Sequence, residues 1–128
     1  MIGGKVVDAS ALAALARGRL SAVAWFATAK VTGLTLYLPA LALAEVRAVR
    51  PDAGVVLAEA VGHPSVVVGE LDAVGARGVD QLLVTADVFD GCAGHVVYVA
   101  RQRGGWPALS ADPGRLRRID PGIEIDLL

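Results

Sequence analysis

Short apolar, β-branched runs recur along this chain, each followed by a stretch of helical composition, and this alternation restricts the possible folds more than any other feature. Lys5-Val6-Val7 ends in Asp8-Ala9-Ser10 and is followed by helical segments at Ala11 to Arg17 and Leu20 to Lys30. Leu34 to Tyr37 reads as a second strand closed by Pro39, which suits the first turn of a helix running to about Val49, where Pro51 stops it. A short helix follows over Asp52 to Val61, then a compact strand at Ser65 to Val68 and a helix from near Leu71 to Ala86. Asp90 to Arg103 is the clearest amphipathic helix, with Asp90 as its N-cap and Gly104-Gly105 as its stop. Pro107 to Leu109 makes another strand, Arg115 to Ile119 a helical turn, and Ile123 to Leu127 a terminal strand. Strands that are apolar throughout, separated by helices, indicate an α/β domain with a mainly parallel central sheet covered on both faces. Ligand sites in such sheets form beyond the carboxyl ends of the strands.

With 128 residues the chain has room for one domain, spanning 1–128. Its apolar fraction of 55% and mean hydropathy of +0.56 raise a membrane reading. Run length dismisses that reading: Lys30 and Glu45 interrupt the greasiest stretches well short of the roughly 18 residues a spanning helix needs. Met1 to Asp8 lacks the basic and apolar regions of a secretory leader, so the cytoplasm is the expected compartment. Cys92 is the only cysteine, which rules out an internal disulfide and any multi-thiolate metal site; it reads as a small buried side chain.

The acids carry the chemistry. Asp8 follows the first strand and Asp112 the strand at Pro107 to Leu109, so parallel strands bring both to one edge of the sheet. Glu45 has Leu41, Ala42, Ala48 and Val49 as its helical neighbours and is expected on the buried stripe. An unpaired carboxylate there would cost several kcal/mol or be driven to protonate, a penalty that a bound divalent cation removes. Asp90 opens a helix, and Asp87 lies one turn earlier; spacing alone does not separate them as the third acid. Oxygen-only donors favour Mg²⁺ or Mn²⁺ over zinc. Such ions hold phosphates and activate water, which points to phosphodiester cleavage.

Val6-Val7-Asp8-Ala9-Ser10-Ala11-Leu12, Leu41 to Val46 with Glu45, Asp90 to Val97, and Arg103 to Asp112 together resemble the PIN-domain ribonucleases, especially the VapC-type toxins of toxin–antitoxin pairs. The resemblance spans nearly the whole chain. It implies a PIN-like domain, RNA hydrolysis, metal and catalytic roles for Asp8, Glu45, Asp90 and Asp112, hydrogen-bonding support from Ser10 and Ser110, a homodimer, and a separately encoded antitoxin. The Asp90 to Asp112 interval, about one helical turn longer than the family pattern, and the doubled glycine depart from it.

Taken singly, Asp8 and Asp90 also fit plain helix caps and Asp112 a turn before Pro113-Gly114. His63 and His95 have no partner at ligand spacing and are assigned no chemistry. Arg101, Arg103, Arg115, Arg117 and Arg118 flank Asp112 and are candidates for RNA phosphate contacts, though solvated faces look the same. Trp25 and Phe26 are adjacent on one helix and cannot both face the core, which leaves one for a dimer or partner surface. Two rival readings remain. Aspartyl-phosphate chemistry at Asp8, as in haloacid-dehalogenase-like phosphatases or receiver domains, usually needs a late lysine, and none follows Lys30. A non-catalytic PIN-like module binding RNA or protein would explain the irregular spacing near Asp90.

Overall fold

The computed structural model describes residues 3–128; Met1 and Ile2, where the segment read for a leader begins, lie outside the described residues. Among the described residues five strands form one sheet: β1 (Gly4–Val7), β2 (Thr35–Pro39), β3 (Val66–Gly69), β4 (Ala108–Ser110) and β5 (Ile125–Leu127). Their order is β3-β2-β1-β4-β5, and every pairing is parallel. Parallel neighbours need crossovers, and helices supply them: α1 (Ala9–Ala16) and α2 (Leu20–Thr32), then α3 (Ala40–Val49), a 3₁₀ turn at Pro51–Ala53 and α4 (Gly54–Val61). The remainder are α5 (Ala73–Ala86), α6 (Gly91–Gln102) and α7 (Pro113–Arg117).

Side chains that alternate along the strands feed two cores. Val7, Leu36, Leu38 and Leu109 pack with α1 to α4 on one face, whereas Val6 and Ala108 pack with α6, Leu116, Ile119 and Ile123 on the other. Phe26 belongs to the first core, and its neighbour Trp25 is only half-buried, with Lys5 Nζ 5.6 Å from its ring centroid. Among the described residues no single helix is long and apolar enough to cross a membrane; α5 and α6 together pass by composition but are bent by 110° at their break.

Each expected element is present, with edges displaced by one or two residues. Pro39 closes β2 and caps α3 rather than entering its first turn. Gly104 and Gly105 both adopt positive φ, 74° and 83°, and the Gly105 amide donates to Ala100 O at 2.8 Å. Two successive left-handed residues turn the chain sharply from α6 back into β4, which explains the doubled glycine.

The chain leaves β1 towards β2 on one side and later returns to β4 on the other, so the sheet's topological switch point lies between β1 and β4. The crevice beyond the carboxyl ends of those two strands is where an open α/β sheet binds its ligands. Asp8 and Ser110 stand there.

Candidate active site

Asp8 leaves β1 and caps α1, its Oδ1 accepting from the Ala11 amide at 2.8 Å. The cap is real, but it accounts for only one of the bonds the carboxylate accepts. Ser10 Oγ donates to Oδ1 at 2.7 Å and Ser110 Oγ, from β4, donates to Oδ2 at 2.6 Å. Ser10 Oγ in turn accepts from the Ala111 amide, and Ser110 Oγ from the Asp112 amide. These bonds stitch the β1 and β4 ends together and fix the Asp8 carboxylate. It is only 3% exposed, and burial raises its pKa against the opposing pull of the two hydroxyls, the amide and the nearby Arg115 charge.

Glu45 on α3 and Asp90 at the start of α6 meet across one guanidinium. Arg115 Nη1 and Nη2 donate to Glu45 Oε2 and Oε1 at 2.7 and 2.5 Å, and its Nε and Nη2 donate to Asp90 Oδ2 and Oδ1 at 2.7 and 2.9 Å. Such planar, doubly bidentate pairing is the strongest arrangement an arginine makes with carboxylates. It holds both acids below the ordinary carboxylate range, against some burial, and raises Arg115 further above its own. Asp90 also caps α6, accepting from the Ala93 amide at 3.2 Å.

The expected burial of Glu45 needs correction. Glu45 sits at the margin of the buried stripe, its side chain 28% exposed, because α3 turns solventward there: Ala48 is exposed and Val49 is 75% exposed. Its charge is compensated within the chain by Arg115, so the burial penalty that argued for a metal is already relieved. Asp112 shares the sheet edge with Asp8, as parallel strands require, but it is exposed, caps α7 without a side-chain bond, and stands outside the Arg115 network. Asp87 ends α5 in the left-handed region with φ of 55° and is exposed; Asp90, not Asp87, joins Glu45.

Beside this network lies a cleft of about 410 Å³ lined by Ser10, Glu45 and Arg115 together with Arg17, Arg19 and Arg50. The last three were not singled out in the sequence, where nothing connects the α1–α2 turn to the end of α3. Of the arginines that were, Arg101 pairs with Asp120 at 3.3 Å and Arg103 stacks over Tyr37 and Trp106, away from the acids. Arg117 and Arg118 are exposed, and Arg118 helps to lower the Asp90 pKa. His95 is fully buried in α6 with its pKa lowered by burial, and the His63 Nδ1 accepts from the Ser65 amide. Cys92 borders Asp8 and Arg115 and is half-buried rather than fully enclosed.

No protein-family model and no curated protein matches the sequence. Solved structures do. The chain superposes on VapC20 of Mycobacterium tuberculosis, a toxin that cleaves the sarcin–ricin loop, with TM-score 0.63 and 19% identity over 80% of this chain and 85% of that one. It matches VapBC2 of Rickettsia felis, solved on a DNA fragment from its promoter, with TM-score 0.69 and 12% identity over 100% and 99% of the two chains. FitAcB of Neisseria gonorrhoeae follows with TM-score 0.59 and 18% identity over 98% and 96%.

The chain has a PIN-domain fold. At these identities the likeness is one of backbone fold.

The PIN fold makes a divalent ion the group to test against this site. The donors suit it: three carboxylates from three separate elements, with no competing histidine. Their placement gives the cation position to Arg115, and among the described residues no three acids, histidines or cysteines stand close enough to share one ion. The pocket is thus built for a positive charge, and the chain supplies one itself.

Proposed function

We propose that this protein is a metal-dependent endoribonuclease, the toxin of a type II toxin–antitoxin pair, hydrolysing RNA phosphodiester bonds at the switch-point crevice. The observation that carries the reading is the pairing of Glu45 and Asp90 on one cationic group, beside the buried Asp8, beyond the β1 and β4 ends of a PIN fold. Asp8, Glu45, Asp90 and, from the rim, Asp112 are the residues assigned to hold Mg²⁺ or Mn²⁺. Bound there, the ion would supply Lewis-acid stabilisation of the phosphoryl group and a lowered pKa for water. The chain's part is positional. Ser10 and Ser110 orient the Asp8 carboxylate, and the Asp112 amide bond to Ser110 ties the rim acid's backbone to the same frame. Arg17, Arg19 and Arg50 line a cleft that opens from the acids, and they suit the polyanionic RNA backbone, which is bound chiefly through phosphate contacts.

The partners proposed with this reading are RNA, a second copy of the chain and a cognate antitoxin, since VapBC2 and FitAcB are toxin–antitoxin proteins of the same fold. Leu20, Val23 and Val31 of α2 are exposed, and they offer apolar area for such contacts.

A second reading has one observation in its favour: with Arg115 in the acid pocket, the fold is complete as a non-catalytic RNA- or protein-binding module. Induced expression in a bacterial host separates the two. Growth arrest with discrete cuts in cellular RNA, both abolished by Asp8→Asn, supports the toxin; unaltered growth and intact RNA favour the binding module.

A further inference from the structure

We infer that Arg115 is an intrinsic occupant of the acid pocket that competes with the divalent ion, so that metal loading requires its guanidinium to leave Glu45 and Asp90. This rests on the nuclease reading only in taking the acids as a metal site; it concerns who holds that site at rest.

The geometry argues for exchange rather than coexistence. All four hydrogen bonds from Arg115 to Glu45 and Asp90 use the carboxylate oxygens that an ion would need, two on each acid. A guanidinium brings one positive charge to a neighbourhood of three carboxylates, whereas a divalent ion brings two, so the ion has an electrostatic advantage that the covalently tethered arginine offsets by proximity. Arg115 also has somewhere to go. It lies on the five-residue α7, its side chain is 24% exposed, and it already lines the cleft shared with Arg17, Arg19 and Arg50. Released from the acids, it would face the phosphates of an RNA strand lying there. Metal arrival and substrate arrival would then favour the same rearrangement, and in the absence of both Arg115 keeps the two acids paired.

The test is Mn²⁺ binding measured by electron paramagnetic resonance for wild type, Arg115→Gln and Arg115→Lys, with circular dichroism confirming the fold of each. Removing the competitor should tighten Mn²⁺ binding about tenfold in Arg115→Gln, while Arg115→Lys, which keeps the charge but not the fork, falls between. Equal or weaker binding by folded Arg115→Gln would overturn the inference. Should that variant fail to fold, the wild type suffices: the Arg115 Nε–H resonance should shift and lose its hydrogen-bonded protection as Mg²⁺ is added, and a signal unmoved at saturating Mg²⁺ would refute exchange. RNA cleavage assayed in parallel keeps the two claims apart. Tighter Mn²⁺ binding without cleavage by any variant sustains the competition and sinks the nuclease, whereas cleavage by wild type with unchanged Mn²⁺ affinity does the reverse.

Discussion

Replacing Glu45 by Gln probes the ion network without changing side-chain volume. Had Glu45 been an unpaired acid on a buried face, the substitution would have stabilised the metal-free protein. The structure reverses that expectation, because Glu45 accepts two charge-assisted bonds from Arg115. Gln retains one acceptor oxygen but turns an amide group towards a second guanidinium N–H, so one bond is lost and the other loses its charge. Side-chain exposures of 24% and 28% place the pair between a surface ion pair, about 0–1 kcal/mol, and a fully buried one, whose breakage costs about 3–5 kcal/mol. Relief of the Glu45–Asp90 repulsion returns part of the loss. The expected net effect is about 1–2 kcal/mol of destabilisation at pH 7, or roughly 3–10 °C in Tm for a domain of this size.

The pH dependence carries its own sign. The folded Glu45 pKa lies below the ordinary 4.5, so its contribution is fully present above that value and is lost as pH falls through the lowered one. Urea unfolding of wild type and variant in chelator should therefore show a gap at pH 7 that closes as pH is taken below 4.5. A variant as stable as wild type at pH 7, or a gap that widens in acid, would refute the Arg115–Glu45 pairing.

Ser110→Ala removes the 2.6 Å bond to a buried carboxylate and also the acceptor of the Asp112 amide, and should cost about 1–3 kcal/mol in urea unfolding. An unchanged midpoint would mean that Ser110 does not hold Asp8. Burial and the adjacent Glu45 push the Cys92 thiol up to about 11, so iodoacetamide at pH 8 should modify the native protein far more slowly than the urea-unfolded chain. Comparable rates would contradict the packing around Cys92.

The fold was legible because its punctuation is local. Gly104-Gly105, Pro39 and Pro51 mark breaks whose cause lies in their own backbone preferences, and the strands are apolar runs short enough to be told from helices. Asp8 and Asp112 were placed at one edge by parallel topology, but sequence says nothing of which way a side chain turns beyond a strand, and Asp112 turns out to solvent. Arg115 was visible only as one of five arginines near Asp112. Its partners are 70 and 25 residues away, and no period in the sequence encodes a pairing made by tertiary packing. The apolar neighbours of Glu45 misled for a related reason: Val49 is apolar yet exposed, so composition overstated the buried stripe.

Cleavage of a pool of structured RNAs by purified wild type and Asp8→Asn, each with Mg²⁺, Mn²⁺ or excess EDTA, tests the central claim most directly. Wild type should cut with either ion and not in EDTA, and Asp8→Asn should not cut under any condition. Equal traces in every lane, or cutting that survives both EDTA and the loss of Asp8, would contradict an acid-cluster nuclease.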